Sequence, residues 1–113
     1  MERGQIAYIP FPYTDRREGK RRPVCVISSG QYNDGPDLVV AMVTSSVLRL
    51  SAPGLGDVVL DGWREAGLPL PSVIRTGRIE TLERRLLGVL VGSLTTADLS
   101  LVDDALRDVL DLG

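Results

Sequence analysis

Apolar residues in this chain come in short runs, each cut off by proline or a cluster of turn formers, until the spacing changes near residue 95. That punctuation excludes long helices over most of the chain and leaves strands as the economical reading. Residues 5–9 alternate and are rich in strand formers, and Pro10 and Pro12 end the run because proline removes a ladder donor. After the polar loop 13–21, residues 24–28 and 38–44 are apolar runs of the kind buried on both faces. They are separated by Ser29-Gly30-Gln31-Tyr32-Asn33-Asp34-Gly35-Pro36, which is dense in turn residues. A loop containing Ala52-Pro53-Gly54 leads to a short strand at 57–60, and Gly67-Leu68-Pro69-Leu70-Pro71 cannot be regular helix. Residues 72–75, 78–82 and 87–94 read as three further strands.

The period then switches. Leu99, Val102, Leu106, Val109 and Leu110 fall at helical spacing, with Asp103, Asp104, Arg107, Asp108 and Asp111 on the other face. Thr95 or Thr96 is the expected N-cap, Asp98 suits the first turn, and Gly113 follows the stripe. The expectation is a single domain over residues 1–113. It is mainly β (α+β): a small closed or half-closed barrel of six to seven short strands, with one amphipathic C-terminal helix covering an opening.

Several function classes drop out on composition. No stretch approaches the roughly 18 apolar residues of a membrane span, and the N-terminus lacks the apolar run of a signal peptide. Cys25 is the only cysteine, so no intramolecular disulfide forms; within Val24-Cys25-Val26-Ile27 it reads as a small buried hydrophobe. The expected compartment is the cytoplasm. A net charge of −2 argues against a nucleic-acid partner as an average, but the distribution is uneven. Residues 1–22 hold six basic and three acidic side chains, and residues 64–94 five and three; residues 95–113 hold one basic against five acidic. Folding that joins the two basic segments would make a basic face opposite an acidic tail.

The familiar catalytic sets are missing. The chain has no histidine, which removes the commonest general base and metal ligand. One cysteine and scattered carboxylates make no zinc site, and no P-loop or dinucleotide fingerprint is present. Concentrated cations remain. Arg16, Arg17, Lys20, Arg21 and Arg22 lie within seven positions. Arg22 precedes Pro23, which biases it toward an extended backbone at a strand entrance. Arg75 ends another apolar segment, and Thr44-Ser45-Ser46 ends a third. Guanidinium forks and short hydroxyls at strand ends suit phosphate.

These residues carry a family likeness. Arg3-Gly4, Pro10-Phe11-Pro12-Tyr13-Thr14-Asp15, Lys20-Arg21-Arg22-Pro23, Val43-Thr44-Ser45, Pro71-Ser72-Val73-Ile74-Arg75 and Ile79-Glu80-Thr81-Leu82 together resemble the MazF/PemK toxins of toxin–antitoxin pairs. The ordered set covers nearly the whole chain. The resemblance implies an SH3-like barrel, a homodimer, a groove for single-stranded RNA, sequence-selective cleavage without a metal or other cofactor, and neutralisation by a cognate antitoxin. It implies Arg22 and Thr44 as the catalytic pair and Ser45 and Arg75 as RNA contacts. Arg16, Lys20, Arg21 and Arg78 are further candidates for the RNA phosphates on charge alone.

Two positions depart from the family pattern. Arg16, Arg17 and Glu18 stand where several members carry Glu-Gln or His, and Gly77 stands where many carry an acidic residue. Both remove proton-transfer candidates while sparing the phosphate-binding parts, leaving water, Glu18 or Glu80 for that role. Tyr13, beside the basic loop, is the foremost stacking candidate among few aromatics. Rival readings are a catalytically silent relative and a CcdB-like toxin that binds DNA gyrase without being an enzyme.

Overall fold

The computed structural model describes residues 1–10 and 21–113. Its strands are β1 (Gln5–Pro10), β2 (Arg21–Val26), β3 (Asp37–Thr44), β4 (Asp57–Val59), β5 (Val73–Glu83) and β6 (Leu90–Ser93). They form one antiparallel sheet, ordered β4-β5-β3-β2-β1-β6 and curled into a half-barrel. Two short helices, α1 (Gly30–Asn33) and α2 (Val47–Ser51), flank β3, and α3 (Thr96–Leu110) closes the chain.

Alternation along the strands feeds two cores. Ile6, Cys25, Ala41, Val43, Val58 and Ile74 point to one face, where Leu60, Ala66, Leu68, Leu94 and Val102 cover them. Ile9, Val24, Val26, Leu38 and Val40 make the cluster on the other face, with Met1, Met42, Leu82 and Leu87 at its margin. β3 contributes to both, as its unbroken apolar sequence predicts. Cys25 is fully buried, and loss of solvation pushes its thiol up to about 12. Trp63 packs half-buried against the first cluster and carries the Arg64 guanidinium 4.4 Å from its ring centroid.

The C-terminal helix forms where its period predicts. Thr95 is the N-cap, its Oγ1 accepting from the Asp98 N–H at 3.1 Å. Asp98 does more than complement the helix dipole. It is 1% exposed, and its carboxylate accepts from the backbone N–H groups of Gly62 (2.8 Å) and Asp61 (3.4 Å). The loop after β4 is thereby tied to the first turn of α3. At the other end Asp111, with φ at 55°, supplies the left-handed cap, so the helix stops before Gly113. Leu110 lies in this fraying turn and stays half exposed. Arg3 joins the N-terminus to the same helix, its Nε donating to Ile27 O at 2.8 Å and its guanidinium pairing with Asp103.

Three local readings change. Residues 72–75 and 78–82 are halves of one strand, β5, and the break between them is a bulge. Ala41 pairs with Ile79 but Met42 pairs with Arg75, so Thr76, Gly77 and Arg78 have no partner in β3. Thr76 turns instead to β4, its N–H and Oγ1 both donating to Gly56 O. The last strand, Leu90–Ser93, is shorter than the apolar run 87–94; beyond a register shift at Ile6/Ala7 the chain stays tied to β1 through Gly88 N–H to Tyr8 O and Tyr8 N–H to Val89 O. α1 and α2 occupy stretches read as loop; one helical turn has the same small and polar composition as a loop.

Asp98→Ala leaves the buried Gly62 N–H unsatisfied and frees the part-buried Asp61 N–H; it is expected to lower unfolding stability by about 1–3 kcal/mol, read as a shift of the denaturant midpoint at unchanged slope. The folded Cys25 thiol is expected to resist alkylation at about pH 9, where an unperturbed thiol is largely ionised. Chain unfolded in denaturant should react promptly under the same conditions.

Candidate functional site

β2 and β3 end side by side, and their ends open into a cleft of about 390 Å³. Its lining comes from four places: Tyr8 of β1, Arg21, Arg22 and Pro23 of β2, Val43 to Ser46 at the end of β3, and Leu68, Pro69, Leu70 and Ser72 of the loop before β5. Ladder pairing puts them there. β1 holds β2 through Tyr8↔Pro23, Ile9↔Arg22 and Pro10↔Arg21. The β2–β3 ladder starts only at Val24↔Met42, past Pro23, as a residue without an N–H requires. Carrying that register two residues toward the strand ends sets Arg22 opposite Thr44.

One wall is polar. Arg22 is half-buried, Arg21 is exposed, and Thr44, Ser45 and Ser46 add three hydroxyls. The Thr44 Oγ1 accepts from the Ser46 N–H at 3.1 Å as the chain leaves β3 for α2. With one lone pair engaged, the hydroxyl proton stays available to an acceptor in the cleft. No carboxylate lines this space among the described residues. The other wall is apolar: Tyr8, Pro23, Val43, Leu68, Pro69 and Leu70. Ser72 is 3% exposed and its Oγ donates to Leu70 O at 2.8 Å, which fixes the turn that carries Leu70.

The sequence-derived candidates fall into three groups. Arg21, Arg22, Thr44 and Ser45 come together in the cleft. Arg75 sits one ladder step away, opposite Met42, and its Nε donates to Asp57 Oδ1 at 3.3 Å. Asp57 also lies 3.8 Å from Arg49 and accepts from the Gly54 N–H at 2.9 Å. Arg78 is exposed on the β5 bulge, and a Cβ added to the neighbouring Gly77 would meet nothing within 4 Å. Arg16, Lys20, Glu18 and Tyr13 lie outside the described residues. Glu80 is on the far half of β5, paired with Val40 and outside the cleft lining. Sequence reasoning named Ser46 only within the Thr44-Ser45-Ser46 strand end and did not single out Tyr8 or the Pro69-Leu70 turn. Their signal was present, since Tyr8 alternates with Ile6 and Pro10 and two prolines bracket Leu70.

Comparison with known proteins agrees in extent as well as kind. A model of the PemK-like, MazF-like toxins of type II toxin–antitoxin systems matches residues 2–110. Endoribonuclease MazF6 of Mycobacterium tuberculosis is 35% identical over 103 residues, which span 89% of this chain and 88% of that protein. Endoribonuclease MazF2 of Mycobacterium bovis matches to the same degree. Among solved structures, an endoribonuclease in complex with its cognate antitoxin from a mycobacterial species superposes with a TM-score of 0.79 at 22% identity, covering 100% of this chain and 97% of that one. MazF from Deinococcus radiodurans superposes at 0.73 and 22%, covering 98% and 96%. At such identities the superpositions establish the half-barrel with its terminal helix. With the family match running almost end to end, the chain belongs to the PemK/MazF family of type II toxin–antitoxin toxins.

Proposed function

We propose that this chain is the toxin of a toxin–antitoxin pair and acts as an endoribonuclease on single-stranded RNA, without a metal, in the cleft at the ends of β2 and β3. The observation that carries this reading is the meeting of Arg22 and Thr44, 22 positions apart in sequence, on the polar wall of one cleft. The names of the 35%-identical relatives support it.

The ribose 2′-OH attacks the adjacent phosphorus and the bond to the 5′ oxygen breaks. The products are a 2′,3′-cyclic phosphate and a 5′-OH. Arg22 holds the non-bridging oxygens as negative charge builds on them, the effect a fixed donor supplies best in a partly dry site. Thr44, with its proton free to donate, orients the phosphate or the attacking hydroxyl for in-line displacement. Arg21 and Ser45 position the backbone on either side. Arg75 and Arg78 extend the cationic track beyond the cleft, and Arg16 and Lys20 are further RNA-binding candidates by charge. The attacking proton passes to water or to Glu18, and the leaving oxygen takes one from water; among the described residues no carboxylate lines the cleft. The rate is therefore expected to be modest.

The active species is a homodimer, and a cognate antitoxin silences it in the cytoplasm. Leu55, Val59 and Leu101 around the β4–α3 groove are 43–82% exposed and offer apolar area for assembly. The mycobacterial neighbour bound to its antitoxin supports the second partner.

Incubated in excess EDTA with a long unstructured RNA, the protein is expected to give discrete fragments with cyclic-phosphate ends. Arg22→Ala should cut about 10²–10³-fold more slowly and Thr44→Ser should retain most activity. A deoxyribose at the cut position should abolish cleavage while sparing binding. Unchanged cutting by Arg22→Ala would sink the assignment. No cutting by folded wild-type protein would instead favour a non-enzymatic, gyrase-binding mode.

A further inference from the structure

The cleft has more apolar wall than a phosphate needs. Leu70 is 54% exposed there and joins Tyr8, Pro23, Leu68 and Pro69 in one continuous apolar wall beside the polar one. It is not a loosely hung side chain. Pro69 and Pro71 restrict the backbone on both sides, Leu68 anchors one end in the core at 5% exposure, and Ser72 grips the Leu70 carbonyl from the other. Tyr8 is held as firmly. Its N–H donates to Val89 O at 3.1 Å, its carbonyl accepts from the Gly88 N–H at 2.8 Å, and it lies across from Pro23 in the β1–β2 ladder. Among the described residues it is the aromatic side chain of the cleft lining, and the residue is partly exposed. A rigid aromatic face and a rigid apolar turn, next to guanidinium and hydroxyl donors, match the two halves of a nucleotide.

We propose that Tyr8 and the Pro69-Leu70 turn form the base-binding wall of this site, holding one unstacked base beside the phosphate that Arg22 and Thr44 engage. The proposal rests on the RNA-cleaving reading above and adds specificity to it. Tyr8 supplies a stacking surface that tolerates any base, and Leu70, which offers shape without hydrogen bonds, sets how large a base fits. The wall therefore biases which nucleotide flanks the cut, while cations outside the cleft contribute affinity without sequence.

The test uses a short RNA containing one mapped cut site, and the same RNA with an abasic ribose on either side of the cut. The abasic sugar keeps the 2′-OH and the phosphate. Wild-type kcat/KM should fall about 10–100-fold for one of the two abasic substrates. Tyr8→Ala should lose a similar factor on the intact RNA and no more than about twofold further on that abasic RNA, because the partner of the missing base is already gone. Tyr8→Phe should cut like wild type. Leu70→Ser, on an exposed turn and so indifferent to folding, should broaden the distribution of cut sites on a long RNA. Losses that multiply for Tyr8→Ala and the abasic sugar would overturn the proposal, as would an unchanged cut-site distribution in Leu70→Ser. Wild-type cutting with weakened antitoxin binding in either variant would also overturn it and give the wall to the protein partner. In each of these outcomes Arg22→Ala still loses cleavage; if it does not, the underlying RNA reading has failed instead.

Discussion

Everything in this fold depends on β3 being buried on both sides. Leu38 and Val40 point into one cluster, Ala41 and Val43 into the other, and neither cluster closes without them. A strand so placed has no position for a polar side chain until it emerges, and it emerges at Thr44. The same burial sets its register against β2 strictly, since a slip of one residue would send every apolar side chain to the wrong core. Register in turn decides which β2 residue stands opposite Thr44. That Arg22 and Thr44 line one cleft is a by-product of packing around Val40 and Ala41. Core packing and the lining of the cleft are therefore set by one alignment.

Electrostatics divide the molecule in a complementary way. The C-terminal segment is strongly acidic, yet part of its charge is engaged in holding the domain together: Asp98 binds the loop after β4, and Asp103 meets Arg3. Arg3 is held more firmly protonated as a result, chiefly by its hydrogen bond to Asp103. Anionic character thus sits on the helix, while the cleft wall is formed by two arginines and hydroxyls. The unremarkable net charge conceals this separation. An acidic protein carries a cleft wall of arginines and hydroxyls with no carboxylate among its described lining residues.

Much of this was legible in the sequence, and the exceptions have physical causes. Strand positions followed from period and punctuation, and the terminal helix followed from its stripe and cap. Burial of Cys25 followed from its neighbours. That Arg22 and Thr44 lie at strand ends followed from the apolar runs that one precedes and the other closes, and strand ends are where polar groups meet solvent on a rigid base; their role as a pair came from the family resemblance. Arg75 looked equivalent on that criterion. Its tie to Asp57 depends on β4 pairing with β5, a contact between segments 18 positions apart that no local pattern encodes. The role of Asp98 was half visible: first-turn placement is a local signal, but its bond to Gly62 is not. The apolar wall stayed hidden for the opposite reason. Leu68 to Ser72 looks like a proline-broken connection, and only folding shows which of its residues turn inward and which toward the cleft.

The bulge in β5 has a further consequence. Three residues without partners in β3 divide an eleven-residue strand into two lengths whose alignments need not agree. The first length is measured against β4 and the end of β3, beside the cleft; the second is measured against the start of β3. Each keeps its own count. Between them lies Gly77, where an added Cβ would meet nothing within 4 Å, so the link carries no packing from one half to the other. The strand behaves as two rulers joined by a slack link, and the half that fixes the cleft is insulated from drift in the other.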